Sequence, residues 1–433
     1  MRVLMLGWEY PPHISGGLGT ACAGLTTALA RNGLDIVFIV PQVFGAERAE
    51  HMQLVSAAAS AASPGEGAAP TPPSVPSIGV PAALRPYARP EDYEALLRSV
   101  QRAGFGGAAG ELLGEILAHA DQTTSSAAPY GSDMFAEVSR YAERVAVRAA
   151  EERFDLIHAH DWMTFPAALL MKAARGCPLV VHVHSLEHDR SGAGADPRIE
   201  AIERLGLQGA DLVIAVSFYT RTLIHQIHGI PLEKIHVVHN GVYPAKVTQP
   251  YRLARGWSGK IVLFLGRITF QKGPEYFVEA AAKVIPLVPD ALFVMAGTGD
   301  MLPRMVERVK QLGLSEHFYF PGFLRGQEVE QIFSLADVYV MPSVSEPFGI
   351  AALEAISFET PVIISRQSGV AEVLTHALKV DFWDTHRLAD LLVNALRYPE
   401  LRADMVALAR EELRELRWGA AALKTIDLYR MIV

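Results

Sequence analysis

The chain is poor in cysteine, in positive charge and in long apolar runs. Its 433 residues contain two cysteines, Cys22 and Cys177. Two thiols exclude a disulfide scaffold and a four-cysteine zinc site, and they fit a reducing compartment. Lys and Arg number 39 against 47 Asp and Glu, a formal net charge of -8. A nucleic-acid binder would carry a basic face instead, so no nucleic-acid partner is expected. No apolar window approaches the roughly 18 residues of a membrane span, and no transmembrane segment is expected. The first residues, MRVLMLGWEYPP, run apolar too briefly before their prolines to read as a signal peptide. No repeat of a solenoid period is visible. These absences predict a cytoplasmic globular protein. Its length exceeds what one core holds well, so two domains are expected.

Short apolar runs alternate with helical patterns. VLMLGW at 3–8, IVFIVP at 36–41, LIHAH at 156–160, LVVHVHS at 179–185, LVIAVS at 212–217 and IHVVHNG at 235–241 read as strands. They are apolar on both faces, as strands of a helix-covered parallel sheet are. Leu18, Cys22, Leu25 and Leu29 recur at helical spacing after the first, and Asn32-Gly33 closes that helix. The grammar restarts with KIVLFLGR at 260–267, LFVMAG at 292–297, FYFPGF at 318–323, VYVMPS at 338–343 and PVIISR at 361–366. The stretch 243–259 has Pro, Gly and no clear period and reads as a linker. The expected class is α/β, with two doubly wound Rossmann-like domains, at 1–245 and 258–415, and a last amphipathic helix within 416–433. Residues 53–94, dense in Ala, Ser, Pro and Gly, read as a disordered surface insertion, with helices after it at 90–103, 110–121 and 131–153.

Ligands of open parallel sheets bind beyond the carboxyl ends of the strands. Past the first strand, Gly16-Gly17 precedes a helix whose free amides favour an anion; a tight turn explains the pair equally well. His158, His160, Asp161 and Trp162 end another strand, and His182, His184 and His188 follow one strand later. The H-x-H-x-D-H pattern of dinuclear zinc hydrolases fails because Trp162 stands where the last histidine belongs, so no metal ligands are assigned. His158 reads as a core histidine. His160, at the strand tip, suits a sugar hydroxyl.

In the second half, Arg267 and Lys272 form a compact positive pair at a strand tip, suited to a diphosphate. Glu346 follows the strand VYVMPS. Pro347 marks the expected start of a helix, Gly349 permits close backbone approach, and Glu354 lies about two turns further on. The two acids can line one cleft and accept hydrogen bonds from vicinal hydroxyls.

The E-x7-E pair Glu346 and Glu354, the Gly266-Arg267…Lys272 block, the Gly16-Gly17 loop, HAHDW at 158–162 and HNGV at 239–242 occur in one order and spacing. In these the chain resembles the retaining nucleotide-sugar glycosyltransferases of GT-B fold, in the glycogen and starch synthase-like and sucrose-synthase-like group. The resemblance covers nearly all of the chain except the Ala/Pro insertion. It implies that two Rossmann-like domains face each other across a cleft, and that an ADP-, UDP- or GDP-sugar donates a hexose with retained configuration, without a metal or other cofactor. It also implies roles. Arg267 and Lys272 hold the donor diphosphate. Glu354 takes the ribose and Glu346 the transferred sugar, with backbone near Phe348, Gly349 and Ile350. His160 faces the sugar from the first domain, Asn240 lies near the same cleft, and Phe323 and Leu324 frame the base. The last helix crosses back to the first domain.

Large bacterial glycogen synthases carry Lys before the double glycine, where this chain has Ser15. SLEHDRSG at 185–192 and SRQSGVAEVL at 365–374 are similar to glycogen-synthase-like members, which makes an α-1,4-glucan the leading acceptor. A small-molecule, lipid or cell-wall acceptor, a GT-B epimerase and a catalytically idle glycan-binding module are the alternatives. Glu187, Asp189 and Arg190 fit either the acceptor side of the cleft or a structural ion-pair set.

Overall fold

The computed structural model describes residues 1–12, 16–45, 47, 49–58, 134–150, 152–243 and 258–433. The first sheet comprises β1 (Arg2–Leu6), β2 (Asp35–Val40), β3 (Gln53–Ser56), β4 (Leu156–His160), β5 (Leu179–Val183), β6 (Leu212–Ala215) and β7 (Ile235–Val237), in spatial order β3-β2-β1-β4-β5-β6-β7. The second comprises β8 (Lys260–Leu265), β9 (Ala291–Ala296), β10 (Phe318–Gly322), β11 (Val338–Met341), β12 (Val362–Ser365) and β13 (Leu378–Val380), in order β10-β9-β8-β11-β12-β13. All pairings are parallel. The strand order reverses at β1/β4 and at β8/β11, and each reversal opens a crevice at the strands' carboxyl ends.

Alternating residues send opposite faces of each strand into different cores. In the first sheet, Leu4, Val37, Ile157 and Val181 pack on the helices Met134–Arg148 and Phe165–Arg175. Val3, Met5, Phe38, Val180 and Ile214 pack on the helices Gly17–Arg31 and Trp418–Arg430. The second sheet is likewise covered on both faces. Helix Gly17–Arg31 stops at Asn32, and Gly33 takes a left-handed turn at φ +82.

The C-terminal helix Trp418–Arg430 lies on helix Gly17–Arg31. A Cβ on Gly24 would sit 2.1 Å from the Trp418 ring, so glycine there sets the approach distance. Trp418 is buried. Truncating such a side chain to Ala typically costs about 3–5 kcal/mol.

Several expectations are corrected. Residues 53–56 are an edge strand paired with β2, so the Ala/Pro stretch does not begin at 53. Its remainder from 59, and the helices expected at 90–103 and 110–121, lie outside the described residues, as does most of the expected linker. The helix expected at 131–153 is described as Met134–Arg148. The helix expected at Pro347 begins at Ile350. Glu346 bridges Ser368, and the Val370 N–H donates to the Phe348 carbonyl, which keeps the segment extended until Gly349, at φ +108, turns it.

Candidate active site

Arg267 follows Gly266 at the tip of β8, and Lys272 ends the short helical turn Phe270–Lys272. Gly273, at φ +63, lies so close to the next strand tip that a Cβ would come within 2.1 Å of the Pro342 carbonyl oxygen. This approach brings Lys272 to Glu346, with Nζ donating to Oε2 at 2.6 Å. Ser343 Oγ donates to the same oxygen at 3.1 Å. Arg267 Nη2 donates to Gln271 Oε1 at 3.1 Å, and the Gln271 carbonyl receives the Val344 N–H at 2.9 Å. Gln271 thereby ties the arginine to the loop that carries Glu346. The Glu346 side chain is 8% exposed, so its ion pair is a desolvated contact, stronger than a surface bridge.

Glu354 sits on the helix Ile350–Ser357 among Ala352, Leu353 and Ala355. Burial pushes its carboxyl up to about 7. Tyr339, in the middle of β11, has its phenol held well above its ordinary value by burial and then by the charges of Glu346 and Glu354. Both acids therefore lie within electrostatic reach of this ring.

The first domain meets this loop directly. Gly16 approaches Arg267, whose Nε would be 4.0 Å from a Cβ there. The helix start beyond Gly16 is partly satisfied from within: the Gly19 N–H donates to Glu9 Oε1 at 3.0 Å. Ser217 Oγ and Thr220 Oγ1 donate to the Pro347 carbonyl at 2.6 and 3.2 Å. Ser345 Oγ donates to Asp189 and pairs with Tyr219 Oη at 2.9 Å. Glu372 accepts the Phe218 N–H at 2.9 Å and the Tyr219 N–H.

His160 is fully buried rather than standing open at its strand tip. It stacks on His158 at 4.4 Å between ring centroids, and its Nδ1 lies 3.0 Å from His184 Nε2. His158 Nδ1 pairs with Tyr429 Oη at 2.5 Å, which makes it a core histidine held by the last helix. Burial first, then neighbouring imidazoles, keep His158 and His160 neutral; His158 falls to about 3. Asp161, at φ +59, accepts the His184 N–H at 2.7 Å and is pushed up to about 7 by burial.

Asn240 is buried beside Gly241, which packs against the backbone of Arg417 and Trp418. Phe323 is largely exposed under the Arg325 guanidinium, 5.1 Å from its ring centroid; Leu324 lies partly buried on the second domain's core. Phe348 is buried in the same core, and Ile350 reaches the cores of both domains. Glu187 and Arg190 form a buried ion pair at 3.2 Å that also includes Glu203.

The structure thus joins Arg267, Lys272 and Glu346 through one hydrogen-bonded loop, with Glu354 on the helix that follows it. Among the described residues, no hydrogen bond or ion pair joins His160, Asn240 or Phe323 to it. Sequence reasoning missed Ser343, Gln271, Ser345 and Glu9. Each lies inside a segment already singled out, so the available signal was a polar residue beside a charged one.

Known proteins fit this arrangement. Residues 253–412 match the model of glycosyl transferases group 1, 115–246 that of glycosyltransferase family 4, and 2–80 that of the starch synthase catalytic domain. An uncharacterized glycosyltransferase of Methanocaldococcus jannaschii is 27% identical, over 100% of this chain and 98% of its own. A glycogen synthase of Mycobacterium tuberculosis is 27% identical over 99% and 94%. The α-maltose-1-phosphate synthase of Mycolicibacterium smegmatis is 30% identical over 65% and 80%. The solved sucrose-phosphate synthase of Thermosynechococcus elongatus superposes with a TM-score of 0.72 at 20% identity, covering 99% of this chain and 98% of that one, which establishes the GT-B fold. Two parallel sheets with matching reversals, an acid-cation loop where they meet, and relatives along the whole length lead to one family: the chain is a member of the group 1, family 4 glycosyltransferases.

Proposed function

We propose that this enzyme moves a hexose, with retention, from a nucleoside-diphosphate sugar to a glycan hydroxyl, and that it elongates an α-1,4-glucan. The observation that carries the reading is the Lys272–Glu346 contact of 2.6 Å beside Arg267 at the crevice of the second sheet. A departing nucleoside diphosphate gains negative charge, and two preorganised cations offset it without solvent rearrangement. One such donor is commonly worth about 10²–10³ in rate. Glu346, held by Lys272 and Ser343, presents its carboxylate to hexose hydroxyls. Glu354 accepts the ribose diol, best when ionised. Phe348, Gly349 and Ile350 supply backbone at the turn into the helix. Phe323 and Leu324 flank the base. Asn240 and the unpartnered Nε2 of neutral His160 serve the sugar from the first domain. Attack from the face that the diphosphate leaves retains the configuration, and the departing phosphate oxygen takes the acceptor proton.

The domain limits 1–245 and 258–415, with 416–433 returning to the first domain, belong to this reading, as does action inside the cell. The relative named glycogen synthase supports a glucan acceptor. The name α-maltose-1-phosphate synthase, borne by the 30% identical relative, supports a second reading, transfer to a small sugar phosphate. Radiolabelled ADP-, UDP- and GDP-glucose incubated with maltooligosaccharide, or with glucose 1-phosphate, decides. Extension of the oligosaccharide upholds the first reading. Product with the phosphate alone upholds the second, and isomerised donor without any acceptor overturns both.

A further inference from the structure

The first sheet ends in a layer of imidazoles. His160 and His182 are register partners on β4 and β5, and His184 follows just past β5. Their rings stack, with His182 and His184 at 4.2 Å between centroids. The thiol of Cys22, on the facing helix Gly17–Arg31, completes a set: one ligand atom each from Cys22, His160 and His184 lie within 4.8 Å of one another. His160 Nε2 and His184 Nδ1 are buried without a hydrogen-bond partner. These outer nitrogens can carry the ring protons, which leaves the facing pair, His160 Nδ1 and His184 Nε2, to an ion.

We propose that Cys22, His160 and His184 form a binding site for a thiophilic divalent ion, Zn²⁺ by preference. The donor set is one sulfur and two aromatic nitrogens, which suits zinc and disfavours magnesium or calcium. Two nitrogens at zinc bond lengths of ~2.0–2.1 Å in a tetrahedral site stand roughly 3.3 Å apart. His160 Nδ1 and His184 Nε2 already stand 3.0 Å apart. Small ring rotations bring the sulfur in. Burial keeps the imidazoles neutral; one facing nitrogen donates to the other, and its proton shifts to the outer nitrogen of that ring when an ion takes both lone pairs. The thiol is held protonated by burial and by the carboxyl groups of Asp161 and Glu9. Binding sends the thiol proton to solvent. His184 is partly exposed and gives the ion an entrance, while a fourth position remains for water. Metal binding stands apart from the transfer reading; only its consequence, competition between ion and hexose for His160, rests on that reading.

The test uses the full chain, stripped with a chelator and kept reduced, titrated with Co²⁺ and then with Zn²⁺. Tetrahedral visible bands and a thiolate charge-transfer band should saturate at one equivalent and bleach when Zn²⁺ displaces Co²⁺. Cys22→Ser should lose the charge-transfer band. His184→Gln should keep that band and bind at least tenfold more weakly, which retains a test if the cysteine variant misfolds. Absence of a saturable one-equivalent site overturns the proposal. So does an unchanged charge-transfer band in Cys22→Ser, because the thiolate would then be Cys177.

Discussion

At the scale of single residues, the candidate site is two cations and two acids in unequal surroundings. Arg267 and Lys272 are anchored by Gln271 and Glu346, and neither supports a core. Lys272→Ala and Arg267→Ala should each lower kcat/KM for the nucleotide sugar by about 10²–10³. Steady-state kinetics beside a thermal melt checks this; a melting temperature near wild type with unchanged turnover would remove both from the diphosphate site. Glu354 differs because burial lifts its carboxyl from about 4.5 to about 7. A folded value above the unfolded one means that the native state favours the protonated form. The associated stability is fully present below about pH 4.5 and is lost as pH rises toward and through 7. Asp161 has the same sign, whereas His158 and His184, both lowered to about 3, add stability as pH rises from 3 to their ordinary 6.5. Glu354→Gln should therefore gain melting temperature over wild type at pH 8 relative to pH 5. It should also flatten the fall in donor KM expected as Glu354 ionises. Parallel melting profiles across that range would show that the carboxyl titrates normally.

At the scale of elements, legibility followed burial. β6 is an unbroken apolar run, and β1, β4 and β5 are interrupted only by Arg2, His158, His160 and His182; such runs in a parallel sheet announce themselves. β3 and β13 were not legible: QLVS and LKV are four and three residues at sheet edges, and only pairing to a neighbour makes them strands. The helix start at Ile350 was hidden for a related reason. Pro347 fits a first turn locally, but hydrogen bonds from residues 367–370 hold its segment extended. The charged motif itself was readable, because Arg267, Lys272 and Glu346 fall just past strands. The pairing of Ser345 with Asp189 was not, since 156 positions separate them. Glycines mark where the elements must touch. Gly273→Ala forces a Cβ against the Pro342 carbonyl from a left-handed backbone, so the turn bearing Lys272 must shift. Kinetics and melting should show at least a tenfold loss of kcat/KM with a lowered melting temperature. Full activity would show that Lys272 acts without this close approach.

At the scale of the whole molecule, the candidate site is shared between domains joined by polar contacts around Pro347 and Glu372 beside apolar ones made by Val216, Val242 and Ile350. The helix Phe218–His228 belongs to the first sheet's domain, yet its first amides point at Glu372 of the second. A carboxylate at a helix N-terminus is typically worth up to ~2 kcal/mol when partly buried. His239 Nε2 adds a contact to the same carboxylate at 3.2 Å. Glu372→Ala removes this clamp and leaves Arg267, Lys272 and Glu346 in place. The Phe218 and Tyr219 amides can then turn to water, so the cost falls on the docked arrangement more than on either core. The expected outcome is a larger radius of gyration by small-angle scattering and a several-fold rise in donor KM, with kcat reduced less. Glu372→Gln, which keeps one acceptor oxygen, should lie between the two. If scattering and KM both match wild type, Glu372 caps its neighbour without governing how the domains meet, and the Ser217 and Thr220 bonds to Pro347 suffice to hold the crevice.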